Sequence, residues 1–188
     1  MAAADPARPF VPLNIAVLTV SDTRTAADDR SGDILAERLQ GAGHTLAARA
    51  IVPDDEAAIA GQVRRWIADP GVDVVLSTGG TGFTGRDVTP DAIEPLFDKR
   101  MDGFSTVFHL ISHSTIGVST IQSRATAGLA GTTFIFVLPG SPGACRDAWD
   151  GVLAAQLDYR HRPCNFVEIM PRLDEHMKRG AASASKLR

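Results

Sequence analysis

The chain has 188 residues, of which 44% are hydrophobic, and both values suit a single globular domain. Its formal net charge is −3, and no block of Lys and Arg indicates a nucleic-acid partner. No apolar run approaches the ~20 residues that cross a bilayer, and the prolines and Asp5 near the start do not resemble a signal sequence. Cys145 and Cys164 lack metal-site spacing and are expected to be reduced thiols that pack in the core. We therefore expect a cytoplasmic protein without membrane or nucleic-acid partners.

Short apolar runs alternate with segments of helical period between residues 13 and 172. This alternation is typical of repeated βα units, so we predict one α/β domain built on a mostly parallel sheet. Residues 1–12 and 173–188 have no apolar periodicity and are expected to be flexible tails.

In the first half of the chain, strands are predicted for residues 13–20, for a segment that ends near Val52, and for residues 72–78. A first helix is expected from about Ser31. A second helix is expected from Asp54, which stands where an N-cap is needed.

In the second half, Thr89 is predicted to cap a helix that has Pro90 at its first position. Another helix is expected over residues 103–113. A last strand over residues 132–138 and a last helix over residues 144–157 complete the prediction.

Ligands of parallel sheets bind at the carboxyl ends of the strands, where loops converge and helix N-termini point outward. Four loops leave such ends here and are expected to form one rim: Ser21 with Asp22, residues 53–55, residues 79–87 and residues 139–143. Asp54 and Asp87 on this rim offer the oxygen ligands that Mg²⁺ prefers. Helix capping is an equal alternative for Asp54, and Asp22 either orients a hydroxyl-rich ligand or stabilises its turn.

The third loop has four glycines within seven residues, namely Gly79, Gly80, Gly82 and Gly85. Glycines let backbone N–H groups approach a phosphate closely, and Thr81 and Arg86 add donors, so anion binding is favoured over a simple turn. A P-loop is excluded because Arg86 and Asp87 stand where Lys and Ser or Thr are needed. The GxGxxG pattern of nicotinamide-dependent oxidoreductases fits poorly because the next helix starts only near Thr89.

Three other groups have weaker signals. His109 and His113 have a spacing that can hold a metal, but the Glu of an HExxH site is missing and an ordinary core or surface role is favoured. Residues 159–162 form a basic cluster, for which a solvated surface is favoured over contact with an anion or a subunit. Ser123 and Arg124 either offer a hydroxyl and a guanidinium to a ligand or cap a turn.

Taken together, these motifs resemble the MoaB/MogA molybdopterin-binding family. The resemblance is carried by residues 20–22, 30–32, 52–54, 79–90, 123–124 and 139–142, which follow the family's order, and it covers about residues 13–170. Residues 162–166 look like the bacterial MoaB branch in particular.

The resemblance implies a three-layer α/β/α fold and a homo-oligomer, either a trimer or a hexamer. It also implies that the chain binds molybdopterin and transfers AMP to its terminal phosphate from ATP, with Mg²⁺. Asp54 and Asp87 match the family's essential aspartates, in catalysis and in metal binding. The substrate-binding positions that it implies are Ser21, Asp22, Ser31, Gly32, Gly79, Gly80, Thr81, Gly82, Arg86, Thr89, Pro90, Ser123, Arg124, Pro139, Gly140, Ser141 and Pro142.

Two positions depart from the family's pattern. The family often has acidic residues before and after the Gly103–Phe104 pair, where this chain has Arg100 and Thr106. The local electrostatics are therefore expected to differ. Since some bacterial MoaB-like proteins are not adenylyltransferases, a non-catalytic molybdopterin-binding or carrier protein of the same pathway is the alternative.

Overall fold

The computed structural model describes residues 4–175 and contains a six-stranded sheet. Its strands are β1 (Asn14–Val20), β2 (Thr45–Val52), β3 (Val74–Thr78), β4 (Lys99–Arg100), β5 (Thr126–Ala130) and β6 (Thr133–Leu138). Their order across the sheet is β2-β1-β3-β6-β5-β4. Strands β2, β1, β3 and β6 run parallel, whereas β5 is antiparallel to β6 and β4 to β5. The predicted mostly parallel sheet is confirmed.

The helices are α1 (Arg30–Gly41), α2 (Glu56–Ile67), α3 (Thr89–Ile93), α4 (Asp102–Ile116), α5 (Pro142–Ala148), α6 (Ala154–Gln156) and α7 (Phe166–Ile169). A π-helical turn at Trp149–Leu153 joins α5 to α6, so the helix predicted over residues 144–157 forms with an irregular middle. Short 3₁₀ segments lie at Glu94–Leu96, Gly117–Gln122 and Met170–Arg172. None of the helices within residues 4–175 has the length and apolar character to cross a membrane.

Helices cover both faces of the sheet. Ile15 and Val17 of β1 pack into one core with buried side chains of α1, α4 and α5. Ala16 and Leu18, which alternate with them, pack into a second core with side chains of α2 and α3. Because both faces are buried, the central strands are continuous apolar runs in the sequence. The three-layer α/β/α fold is confirmed.

The predicted cap at Thr89 is wrong, and the capping alternative for Asp54 is excluded. Thr89 is already the first residue of α3 and makes no cap; its N–H donates to Gly80 O at 3.0 Å. For α2 the N-cap is Asp55, whose carboxylate accepts from Ala58 N at 2.8 Å. Asp54, one residue earlier, is therefore free of capping.

Strands β4 and β5 were not predicted. Strand β4 has only two residues, and the sequence of β5, TAGLA, is made mostly of small side chains. A Cβ on Gly128 would lie 2.4 Å from a ring atom of Phe97, so β5 needs this small residue beneath an aromatic ring. That ring comes from a segment about 30 residues earlier in the chain, which local patterns do not reveal.

The segment before β1 contacts the domain, although the sequence predicts a flexible tail there. Asp5 N donates to Arg160 O at 2.9 Å, and Arg8 forms an ion pair with Glu168 at 2.8 Å. Residues 5–12 therefore lie against the part of the chain that follows α6. Residues 1–3 and 176–188 of the two predicted tails lie outside the described residues.

Both cysteines are free thiols, but they occupy different environments. Cys145 in α5 is buried, as predicted, whereas Cys164 is exposed. The expectation of core packing is thus wrong for Cys164.

Candidate functional site

The loops after β1, β2, β3 and β6 meet at one edge of the sheet. Ser21 N donates to Val52 O at 2.9 Å, which joins the first two loops. Gly79 N donates to Leu138 O at 3.1 Å, which joins the last two. The carboxyl ends of the four parallel strands therefore form the predicted rim.

The glycine loop crosses this rim in a conformation that two of its residues make possible. Gly79 has φ +110° and Gly80 has φ +60°, a region that side-chain-bearing residues rarely adopt. A Cβ on Gly79 would lie 2.2 Å from Val20 O, and one on Gly80 would lie 2.4 Å from Thr89 Oγ1. Only glycine lets the chain pass so close to β1 and α3. Helix α3 starts after the loop has turned back, unlike a dinucleotide-binding motif.

Asp54 lies on one side of the glycine loop. Its Oδ2 accepts from Asp22 N at 3.0 Å, and its own N–H donates to Asp22 Oδ1 at 3.2 Å. Its Oδ1 is 3.2 Å from the position of a Cβ on Gly80. Partial burial, together with the negative charge of Asp87, raises the pKa of Asp54 above its ordinary value of 3.8.

Asp87 is the last residue of the loop, and its carboxylate lies beside Gly82. Its Oδ2 accepts from Thr84 N at 2.9 Å and from Thr84 Oγ1 at 2.6 Å. Partial burial by itself raises the pKa of Asp87, but these hydrogen bonds, with one from Gly82 and the charge of Arg124, hold it below its ordinary value of 3.8. The pKa of Asp54 is thus raised, whereas the pKa of Asp87 is lowered.

Asp22 and Arg86 link the loops to one another. The Arg86 guanidinium forms an ion pair with the Asp22 carboxylate. Asp22 also forms two hydrogen bonds with Asp54, which join the β1 loop to the β2 loop. Of the two roles considered for Asp22, these contacts favour stabilisation of the turn. Arg86 is two-thirds exposed despite this pair, which leaves its remaining donors facing solvent.

A polar cavity of about 440 Å³ lies beside Gly79, between the β1 loop and the loop after β6. Ser21, Ser31 and Gly140, which are three of the predicted substrate-binding residues, line this cavity. Ser31 Oγ donates to Gly140 O at 3.2 Å across its wall. Gly32 does not line this cavity. Its N–H donates to Asp29, and a Cβ there would lie 2.1 Å from an Asp29 oxygen, so Gly32 gives the N-cap of α1 room.

The loop after β6 is held mostly by structural contacts. Pro139 O accepts from Thr78 Oγ1 at 2.8 Å, and Ser141 Oγ accepts from Ala144 N at 3.1 Å as the N-cap of α5. Pro142 is the first residue of that helix and borders the polar cavity. The predicted binding role of Ser141 thus coincides with a cap, while Gly140 and Pro142 face the cavity.

Ser123 and Arg124 lie against the glycine loop, not against the cavity. Arg124 N donates to Thr81 O at 2.8 Å, and Ser123 Oγ lies 3.3 Å from Thr81 Oγ1. The Arg124 side chain donates to Gly82 O at 2.9 Å. Both predicted residues therefore reach the site through the loop.

Comparison with known proteins gives a consistent result. A family model described as "Probable molybdopterin binding domain" matches residues 16–159. "Molybdenum cofactor biosynthesis protein B" of Escherichia coli K12 is 52% identical over 157 residues, which cover 84% of this chain and 92% of that protein. The chain belongs to the MoaB family. A crystal structure titled "Molybdenum cofactor biosynthesis protein B" superposes with a TM-score of 0.81 at 37% identity, covering 89% of this chain and 99% of the other. A MogA structure matches with a TM-score of 0.67 at 29% identity, covering 74% and 92% of the two chains.

Several polar residues that line the cavity of this MoaB-family chain were not predicted, namely Thr19, Arg24, Asp28, Asp29, Arg30 and Thr78. The signal available was the long polar segment of residues 22–30 directly after a buried strand. Asp29 is 1% exposed and forms an ion pair with Arg49 at 2.7 Å, which fixes the start of α1 under the cavity.

The weaker candidates lie apart from the rim or have protein partners. Both ring nitrogens of His109 face carbonyl oxygens, those of Ser105 at 2.7 Å and of Ser123 at 3.1 Å. Within residues 4–175 there is no group of three or more His, Cys, Asp or Glu that could hold a metal ion, at His109 and His113 or elsewhere. In the basic cluster, Arg160 pairs with Asp158 at 2.8 Å and Arg162 with Asp5 at 3.2 Å.

The charge of Arg100, one of the two positions that depart from the MoaB/MogA pattern, is neutralised locally. Arg100 forms ion pairs with Glu94 and with Asp102, the latter at 3.3 Å. Together with Thr106 and Arg124 these side chains line a shallow groove of about 420 Å³ on the far side of the glycine loop. Two carboxylates therefore surround the arginine that stands where the family is often acidic.

Proposed function

We propose that this MoaB-family protein binds molybdopterin and transfers AMP to its terminal phosphate from ATP, with Mg²⁺. The observation that carries the proposal is a glycine loop flanked by Asp54 and Asp87 at the carboxyl ends of parallel strands, beside a polar cavity. An oxygen of the terminal phosphate attacks the α-phosphorus of ATP. The bond between the α-phosphorus and the oxygen that bridges it to the β-phosphate breaks, and pyrophosphate leaves with that oxygen.

The residues of the rim suit this chemistry. Adenylyl transfer needs alignment of two phosphates and neutralisation of charge on the leaving pyrophosphate. Glycine-rich loops bind phosphate oxygens through backbone N–H groups, and this is the role proposed for the glycine loop here. The polar cavity beside Gly79 has room and donors for a second substrate, with Ser21 and Ser31 in its wall.

Asp54 and Asp87 fit a magnesium ion that is shared with substrate phosphates. Mg²⁺ commonly uses one or two carboxylates together with phosphates and water, so a complete protein cage is not required. The repulsion between the two carboxylates, which contributes to the raised pKa of Asp54, is relieved when a divalent cation lies near them. Bound magnesium would supply charge neutralisation to the leaving pyrophosphate.

The decisive variant is Asp87→Ala. With molybdopterin, ATP and Mg²⁺, the wild-type protein is expected to form adenylylated molybdopterin, which mass spectrometry detects, and the variant is expected to bind the pterin without turnover. Glu37→Ala, which removes an exposed carboxylate from α1, is the matched control and should retain full turnover. Unchanged turnover in Asp87→Ala would refute the catalytic role of this carboxylate.

A second candidate function is a non-catalytic molybdopterin-binding or carrier protein of the same pathway. It is favoured by the higher identity to a protein named MoaB, 52%, than to a MogA structure, 29%. Isothermal titration separates the two functions. Tight pterin binding that neither requires nor consumes ATP would select the carrier.

We further propose that the protein is a homo-oligomer, a trimer or a hexamer. The end of α4 and the 3₁₀ segment after it expose a run of large apolar side chains, which includes Leu110 at 68% and Ile121 at 71% exposure. Contiguous apolar surface of this kind marks protein interfaces. Light scattering should give three or six times the monomer mass, and Leu110→Glu should lower it. A monomeric wild type would contradict this proposal.

A further inference from the structure

The side chain of Arg124 donates hydrogen bonds to both ends of residues 82–87, the second half of the glycine loop. Its Nε donates to Gly82 O at 2.9 Å, and its Nη2 donates to Asp87 O. The backbone N–H of the same residue donates to Thr81 O at 2.8 Å. Residues 82–87 therefore form an arch whose two ends are bonded to one guanidinium.

Nη1 of Arg124 also has a partner within the protein. Nη1 donates to both carboxylate oxygens of Asp91 in α3, at 2.9 and 2.8 Å. The guanidinium carbon lies 5.8 Å from the ring centre of Phe83, which projects from the arch. The guanidinium uses a different nitrogen for each of its three partners, whereas an ammonium has all of its donors on one nitrogen and cannot span the three positions. Since its charge is paired with Asp91, Arg124 is poorly suited to bind a substrate phosphate directly.

Ser123, the residue before Arg124, contacts α4, which packs on the face of the sheet opposite to α3. His109 Nε2 of α4 lies 3.1 Å from Ser123 O, and Ser123 Oγ lies 3.3 Å from Thr81 Oγ1. The main chain on which Arg124 stands is therefore held by a helix as well as by the loop. This attachment makes Arg124 a fixed point for the arch.

We propose that Arg124 is a positioning residue for adenylyl transfer, because it fixes the arch that carries the Asp87 carboxylate and part of the phosphate-binding backbone. The inference rests on the function proposed above. It assigns Arg124 no contact with substrate, in contrast to the ligand-binding role that the sequence predicts. Its loss moves Asp87 relative to the rim, and displacement of a catalytic group by about 1 Å costs roughly a hundredfold in rate.

The test compares Arg124→Lys, which keeps the charge but not the fork, with Arg124→Ala and Asp91→Asn. For both Arg124 variants we expect kcat to fall roughly ten- to a hundredfold, while the KM for molybdopterin changes less than about threefold. Amide hydrogen exchange of residues 82–88 should become faster in both variants. Asp91→Asn should show a smaller change in the same direction. Methylguanidine, but not methylammonium, should restore slow exchange and turnover to Arg124→Ala.

Arg64→Ala, which removes an exposed arginine from α2, is the matched control and should change neither kcat nor exchange. Retained kcat with slow exchange in Arg124→Lys would overturn the proposal. A weaker affinity for molybdopterin or ATP with unchanged kcat and exchange would also overturn it, since that result makes Arg124 a ligand-binding residue. If Arg124→Ala does not fold, Arg124→Lys and Asp91→Asn decide the question. If the wild type lacks turnover, the function proposed above fails, while hydrogen exchange still decides whether Arg124 fixes the arch.

Discussion

Replacement of Gly79 by alanine tests whether the glycine loop depends on its close approach to β1. The new Cβ would lie 2.2 Å from Val20 O, and its three nearest neighbours are all backbone atoms of Val20, so no flexible side chain can give way. The residue must also hold φ +110°, outside the regions that alanine favours. Strain of this kind costs of order 1–3 kcal/mol, and the overlap with a carbonyl adds to it, so we expect Gly79→Ala to lose about 2–4 kcal/mol of the free energy of unfolding.

The assay is urea unfolding at fixed protein concentration, since assembly would make stability depend on concentration. Gly85→Ala is a control from the same loop, because a Cβ there meets nothing within 4 Å and its φ is not in the left-handed region. We expect that control to change the free energy of unfolding by less than about 0.5 kcal/mol. Equal stability of the two variants would refute the explanation of why glycine stands at position 79.

Three other predictions concern charges and thiols. The pKa of Asp54 is raised in the folded state, so ionisation of its carboxyl favours the unfolded state. The protonated carboxyl therefore contributes fully to the free energy of unfolding below the unfolded pKa, near 3.8. This contribution is lost as the pH rises through the folded pKa. Asp54→Asn should therefore raise the melting temperature at pH 7 but not at pH 3; a gain at pH 3 alone would contradict this sign. Burial raises the pKa of Cys145 to about 11, so a thiol reagent should modify Cys164 quickly and Cys145 only on unfolding. Asp29→Ala, which removes a buried cap and ion-pair partner, should cost about 3 kcal/mol in urea unfolding, against less than about 1 kcal/mol for Asp33→Ala on the same arginine.

The central strands and the rim could be predicted from sequence because each depends on local pattern. Strand β3 is buried at all five positions and begins with three apolar residues, and the residue types after it identify the loop. The position of the rim can then be predicted, because the carboxyl ends of parallel strands lie at one edge of the sheet. Asp54 and Asp87 were placed on this edge by their position in the chain.

Other features depend on contacts between distant segments. Two adjacent aspartates precede α2, and only the backbone conformation shows that Asp55 caps the helix while Asp54 faces the loop. Thr89 is already the first residue of α3, and Val88 stands at the N-cap position, so the Thr89 hydroxyl does not cap the helix. The role of Arg124 likewise depends on carbonyl groups 42 and 37 residues away in the chain, which no local motif specifies.

Pyrophosphate release tests the central claim most directly. Protein, ATP and Mg²⁺ are mixed with and without molybdopterin, and released pyrophosphate is measured together with adenylylated molybdopterin. The account predicts that both products appear in equal amounts, only when molybdopterin is present, and not in Asp87→Ala. Bound molybdopterin with neither product in the wild-type protein would contradict it.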